Sequence, residues 1–116
     1  MENVIKTKSM AFAKRVVGLY KHLSCEKKEF VLSKQVLRCG TSIGANVSEA
    51  EYGISRKDFQ AKMYIALKEC AETLYWLELL YSSDYITKAE FESLHNDCDE
   101  LRKILSSITK TIKGKE

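Results

Sequence analysis

Leu32 to Glu49 reads LSKQVLRCGTSIGANVSE, and this stretch decides the fold. Leu32, Val36, Cys39, Ile43, Val47 and then Ala50 are spaced 4, 3, 4, 4 and 3 residues apart. That is the apolar stripe of an amphipathic helix; a half-buried strand would alternate instead. Gly40 and Gly44 stand four residues apart on another face. Glycine costs a helix interior about 1 kcal/mol relative to alanine, so the pair predicts a neighbouring helix whose backbone comes close. A third face carries Gln35, Arg38, Ser42, Asn46 and Glu49, spaced 3, 4, 4 and 3. This polar row beside a core reads as a hydrogen-bonded structural or interface network that needs every member satisfied.

Working outward, the pattern predicts a helix over about Glu29 to Tyr52, closed by Gly53 as its C-terminal glycine. Before it, Ile5, Phe12, Val16, Leu19 and Leu23 mark one face of a helix over about Asn3 to Leu23, with Met10, Ala13, Val17 and Tyr20 as a second apolar seam. Ser24 to Lys28 is a short polar connection. After it, Ser55 and Asp58 form a cap resembling a capping box for a third helix, whose main seam is Phe59, Met63, Ala66, Cys70, Leu74, Leu77 and Tyr81. Tyr64, Leu67, Ala71 and Tyr75 form another seam, and Ile65 and Trp76 a third face. Thr87 and Glu90 make a T-x-x-E capping box for a fourth helix with its seam on Phe91, Leu94, Cys98, Leu101, Leu105, Ile108 and Ile112. Four long helices joined by short loops predict an all-α, antiparallel up-down-up-down bundle occupying residues 1–116 as one domain. The first and third helices carry more apolar surface than one such bundle uses, which predicts a homo-oligomer.

Composition agrees. The chain has 116 residues, no proline and five glycines, so few helix breakers. No apolar run is long enough to span a bilayer and no leader is visible at the N-terminus, so the expected compartment is the cytoplasm, with no membrane partner. Cys25, Cys39, Cys70 and Cys98 are scattered, form no CxxC pair and read as structural thiols. Residues 1–57 carry 11 basic and 5 acidic side chains, whereas 58–116 carry 8 and 11. The basic charge collects toward the chain ends. In an up-down bundle Lys6, Lys8, Arg56, Lys57, Lys110, Lys113 and Lys115 meet at one end, diluted by Glu2, Glu49, Glu51, Asp58 and Glu116. They read either as a phosphate-facing patch or as ordinary solvated lysines at helix termini. Counting outward from the Gly53-Ile54 turn brings Arg38 level with Lys68 to Glu69 and Gln35 with about Glu72, so Glu69 or Glu72 is the expected partner of a buried Arg38, within the chain or across a subunit boundary.

The string Q-x2-R-x3-S-I-x2-N-x2-E from Gln35 to Glu49 resembles the second-helix motif of the four helix bundle protein family, first described from intervening sequences in bacterial 23S ribosomal RNA genes. The likeness continues through Asp58-Phe59, Ile65-Ala66-Leu67, Glu72, Leu74 and Leu77. Ala50 and Gly44 stand where that family commonly has Gly and Pro. The accessory variability proteins of diversity-generating retroelements belong to the same superfamily. The resemblance implies a ring-like homo-oligomer, a homopentamer around a central channel, with basic surfaces that bind RNA or DNA and a reverse transcriptase or other protein as partner.

No residue pattern assembles a reaction. His22 and His95 lie on different helices without ligand or triad spacing. GTSIG lies inside a helix with no G-K-[ST] after it, and Glu92-x-x-His95 lacks the second copy that a di-iron bundle needs. The expectation is a non-enzymatic oligomeric scaffold with no cofactor or metal, binding nucleic acid through basic patches. The alternatives are a structural or protein-interaction oligomer with no nucleic-acid role and, more remotely, an enzyme with an unrecognised pocket. Salt-dependent RNA binding separates the first two readings.

Overall fold

Four helices follow one another: α1 (Asn3–Cys25), α2 (Leu32–Ala50), α3 (Arg56–Ser82) and α4 (Lys88–Gly114). The structure, a computed structural model, describes residues 3–114, with side chains from 4 to 111. Contacts between consecutive helices run in antiparallel register. Val16 meets Gly40 and Ser9 meets Gly44 across α1 and α2, Thr73 meets Cys39 across α2 and α3, and Cys98 meets Cys70 across α3 and α4. The helices therefore alternate up and down at the corners of a square, with extents of 46 × 21 × 20 Å. The α1–α4 side is the loosest of the four. Its helices are bridged by long charged side chains: Lys8 to Glu100 at 3.0 Å and Arg15 to Asp97 at 2.6 Å.

The glycines of α2 explain how closely α1 approaches it. A Cβ built on Gly40 would lie 2.8 and 2.9 Å from the two Cγ atoms of Val16, and one on Gly44 would lie 3.3 Å from Ser9 Oγ. Ile5, Phe12, Val16, Leu19 and Leu23 of α1 are all buried, as are Val36, Cys39, Ile43, Val47 and Ala50 of α2, as their spacing predicts. On α3 the seam differs from the expected one. Thr73 and Leu80 are fully buried, while Leu74 is half-buried and Tyr81 exposed. A straight helix keeps its stripe at strict 4, 3, 4, 3 spacing, which runs from Met63 through Cys70 to Thr73, Leu77 and Leu80. Thr73 tolerates burial because its hydroxyl lies 2.7 Å from Glu69 O, one turn back. Tyr81 instead stacks on Phe91 at 4.7 Å between ring centroids. On α4, Leu94, Cys98, Leu101 and Leu105 are buried and Ile108 half-buried. The side chain of Ile112 lies outside the described residues.

The helix ends are partly as expected. Thr87 and Glu90 form the reciprocal capping box, Thr87 N–H to Glu90 Oε1 at 2.7 Å and Glu90 N–H to Thr87 Oγ1 at 3.1 Å. Ser55 Oγ accepts from Asp58 N–H at 3.1 Å, and Asp58 Oδ2 accepts from Ile54 N–H at 3.2 Å. Gly53, by contrast, is not a left-handed C-terminal glycine, since no described glycine has a positive φ. Its missing side chain is needed for another reason: a Cβ there would lie 3.1 Å from both Asp58 Cβ and Phe59 N. The left-handed positions are Lys28 (φ 55°) and Asp84 (φ 66°). Asp84 closes α3 as a Schellman motif, with Tyr85 N–H on Leu80 O at 2.9 Å and Asp84 N–H on Tyr81 O at 3.1 Å.

Helix α2 starts three residues later than expected, because Glu29 caps it. The buried Glu29 carboxylate accepts from Ser33 N–H at 2.7 Å, Leu32 N–H at 3.0 Å and Val31 N–H at 3.2 Å. Burial pushes this carboxyl up, but the donors from Leu32, Ser33 and Val31 together hold it below the ordinary 4.5.

Two outcomes follow. Val16 is β-branched and held in one rotamer by its helix, so Gly40→Ala overpacks the α1–α2 contact at a cost of about 1–3 kcal/mol, against at most about 1 kcal/mol of improved helix propensity. Thermal melts should show Gly40→Ala less stable than wild type, with the deficit recovered in Gly40→Ala/Val16→Ala relative to the sum of the single changes. Glu29→Gln should lower stability by about 1–2 kcal/mol at pH 7. The depressed carboxyl contributes in full above about pH 4.5 and loses its contribution as pH falls through its lower folded value. Denaturant melts of the two proteins should therefore converge in acid.

Candidate functional site

The polar row of α2 faces the seam with α3. Arg38 donates to Glu72 and lies 3.6 Å from Glu69 Oε2, so both carboxylates named by the register count are its partners, within one chain. Trp76 Nε1 donates to the same Glu72 Oε2 at 2.9 Å. Glu49 is paired with Lys62 of α3 at 2.8 Å. Asn46 is buried and donates to Ser42 O at 2.9 Å and Ser42 Oγ at 3.0 Å. Gln35 is half-buried and makes no side-chain hydrogen bond among the described residues. The row is thus two residues ion-paired to α3, Arg38 and Glu49, with a local amide–hydroxyl contact between them, and no continuous network.

Arg38 is also not buried. Its side chain is 52% exposed, against 18% for Glu69. The cost lies with the acid: Glu69 Oε2 is buried without a hydrogen-bond partner. Burial pushes the Glu69 carboxyl up, the Arg38 guanidinium opposes this, and neighbouring Glu72 adds to it. Beneath this seam, burial raises the Cys39 thiol to about 11, although Thr73 Oγ1 lies 3.2 Å from its sulfur. Cys70 and Cys98 are likewise buried and free, and Cys25 is exposed and free. A hydrogen bond with Cys70 and burial both raise the Cys98 thiol, so the buried sulfurs behave as core atoms.

Among the described residues the bundle places Lys6, Lys8, Arg56, Lys57 and Lys110 toward one end, but they are not equivalent. Lys6 is paired with Glu51 at 2.8 Å and Lys8 with Glu100 at 3.0 Å. Their charge is largely answered inside the chain, and the Glu51 hydrogen bond raises the Lys6 ammonium above its ordinary value. Arg56 and Lys57 are exposed at the start of α3 and have no carboxylate within 4.0 Å among the described residues. Lys110 is exposed on α4. Lys113 lies in α4 with its side chain outside the described residues, and Lys115 lies outside them altogether. Two large apolar side chains that the periodicity left unassigned share this end: Tyr52 and Ile54, in the α2–α3 connection, are 81% and 95% exposed. Tyr52 closes the expected second helix without joining its stripe, and Ile54 follows in the connection; bulky residues outside every seam are their signal.

A second surface lies on the outer face of α1 and α2. Met10, 60% exposed, Ala13 and Lys14 of α1 flank a floor of Thr41, Gly44 and Ala45, forming an open groove of about 840 Å³. Val17 of α1 and Ile65 and Tyr75 of α3 are also exposed, whereas Trp76 is half-buried against the core and edge-on to Tyr75.

Residues 1–107 match the model of a family described as 23S rRNA-intervening sequence protein. The chain belongs to this family. The match to 23S rRNA-intervening sequence proteins runs through α1 and most of α4, beyond the middle of the chain that carries the Gln35–Glu49 string. The fold of a protein of unknown function from the S23 ribosomal protein family of Bacteroides thetaiotaomicron VPI-5482, known from its crystal structure, superposes with a TM-score of 0.90 at 58% identity, covering 91% of this chain and 98% of that one. No curated protein matches the chain. No described helix is long and apolar enough to cross a membrane.

The Arg38 cluster yields a further outcome. Because Arg38 is half exposed, Arg38→Ala should lower stability by only about 1 kcal/mol, and by less in a Glu69→Gln background. A carboxyl whose folded value is raised binds its proton more tightly in the folded chain, so its contribution to stability falls as pH rises through the glutamate range. Glu69→Gln removes that penalty, and urea melts should show its advantage over wild type to be larger at pH 7 than at pH 4.

Proposed function

We propose that this family member is a non-enzymatic scaffold that self-associates and holds nucleic acid electrostatically at the basic end of the bundle. The observation that carries the reading is the exposure of Arg56, Lys57 and Lys110 at one end, with no carboxylate partner among the described residues, while the nearby acids Glu49 and Glu51 are engaged by Lys62 and Lys6. Free cations on a rigid end attract phosphate without reading sequence. The family description, which ties its members to 23S rRNA, makes RNA the first nucleic acid to test.

Self-association is supported by the α1–α2 groove and by the exposed apolar residues Met10, Val17, Ile65 and Tyr75. A concave face on one side and apolar side chains on another suit a head-to-tail contact, which closes into a ring when the rotation allows. The homopentamer implied by the sequence resemblance is one such ring. It would repeat the basic end around an axis, so that weak phosphate contacts add through avidity. If the same groove served only protein contacts, the chain would be a protein-interaction scaffold with no nucleic-acid role, and the salt series below separates the two.

Gel shifts with structured RNA and with duplex DNA at rising salt are the test, using wild type and a variant carrying Lys110→Glu, Lys113→Glu and Lys115→Glu. For about four phosphate contacts, affinity should fall on the order of a hundredfold between 50 and 200 mM salt, and the charge reversal should abolish most low-salt binding. Binding indifferent to both would favour the protein-interaction scaffold. Light scattering on the same samples should give a mass several times that of one chain.

A further inference from the structure

We infer that the α2–α3 connection is a binding site for an unpaired nucleotide, in which the Tyr52 ring stacks on the base and Arg56 and Lys57 hold the flanking phosphates; this rests on the nucleic-acid reading above and specifies which form of nucleic acid the basic end takes. Tyr52 is 81% exposed, yet its backbone is not free. Glu51 N–H bonds to Ser48 O, Tyr52 N–H to Glu49 O, Gly53 N–H to Ala50 O and Ile54 N–H to the Asp58 carboxylate. Gly53 closes the turn at a position where a Cβ would press on Asp58 and Phe59. An aromatic ring displayed on a fully bonded turn loses little freedom when it stacks, which is the condition for a binding platform.

Beside the ring lies an open recess of about 470 Å³, lined by Tyr52, Gly53, Glu49, Asp58, Ala61 and Lys62. That volume is within the range of small-ligand sites, roughly 300–1,000 Å³. Its charge pattern sorts the two halves of a nucleotide. The Asp58 carboxylate repels phosphate from the recess, and both it and Glu49, whose charge Lys62 answers, retain lone pairs that accept base N–H groups. Arg56 and Lys57, just outside it, take the phosphates. A duplex keeps its bases stacked inside and offers none to the ring, whereas a loop, bulge or single strand does. An anionic lipid surface would meet the same carboxylates with no base to satisfy them, so the pattern favours a nucleotide over a membrane.

The experiment uses the full chain with two RNA probes: a hairpin with 2-aminopurine in its loop and a fully paired duplex of equal length, tested with wild type, Tyr52→Ala and Tyr52→Phe. Because Tyr52 is on the surface, melting curves of both variants should match wild type. The expected result is about a tenfold loss of hairpin affinity in Tyr52→Ala, near wild-type affinity in Tyr52→Phe, and unchanged duplex affinity. Loop 2-aminopurine fluorescence should be quenched by wild type and not by Tyr52→Ala. The salt slope should be the same for wild type and Tyr52→Ala, and shallower for Arg56→Gln/Lys57→Gln. If wild type binds both probes and Tyr52→Ala weakens neither, or both alike, the stacking site is overturned while the electrostatic reading stands. If neither probe binds at low salt, both readings fall. A change of oligomeric mass in Tyr52→Ala with parallel losses on both probes would assign the connection to subunit contact and overturn the site.

Discussion

Two helix axes approach only as closely as the side chains between them allow, and in this bundle that limit is set by Gly40 against Val16. Gly44 against Ser9 repeats the arrangement one turn along. With no Cβ on α2 at these positions, α1 settles into α2 and its stripe from Ile5 to Leu23 is buried. The α1–α4 side is the loosest of the four. There the contact is made by Lys8, Arg15 and their carboxylates, with Val4, Ile104 and Ile108 left lining a shallow groove of about 500 Å³. The same small residues that admit α1 also flatten the outer face of α2. The groove proposed for self-association is therefore a by-product of the core packing.

Electrostatics refine this frame. A basic chain end is unremarkable, since lysines at helix C-termini are favoured wherever they go. The structure divides the cations by what answers them. Lys6, Lys8 and Lys62 are spent on Glu51, Glu100 and Glu49, and in being spent they remove the acids that would screen their neighbours. Arg56 and Lys57 are left facing water beside an exposed tyrosine. Exposed ion pairs of this kind contribute little to stability, about 0–1 kcal/mol each, so their consequence here is the local field and where it stays positive.

Much of the fold could be read directly from the residues. The stripes of α1 and α2, the Thr87–Glu90 capping box and the closeness implied by Gly40 and Gly44 all rest on local rules of period, capping and volume. The Arg38 partner was readable as well, because an antiparallel hairpin converts distance from its turn into register. Elements that depend on who else is buried were read less well. Thr73 outcompeted Leu74 for the core because helix geometry takes precedence over hydrophobicity when a hydroxyl can bond back to its own helix. Glu29 reads as the first residue of a helix, whereas its carboxylate caps that helix from outside. Gly53 reads as the C-terminal glycine of the second helix, yet the left-handed positions are Lys28 and Asp84, and its own need for glycine comes from Asp58 and Phe59 across the turn.

What the sequence by itself determined is therefore the number, period and order of the helices, and membership of the family that the match over residues 1–107 shows, because these follow from patterns between residues near one another along the chain. Only the tertiary structure decided which charges remain unanswered, that Arg38 is half exposed while an oxygen of Glu69 is buried, and that Tyr52 stands outward over a recess. Exposure and pairing are properties of the whole assembly of helices: each depends on atoms contributed from tens of residues away, and no local pattern carries that information.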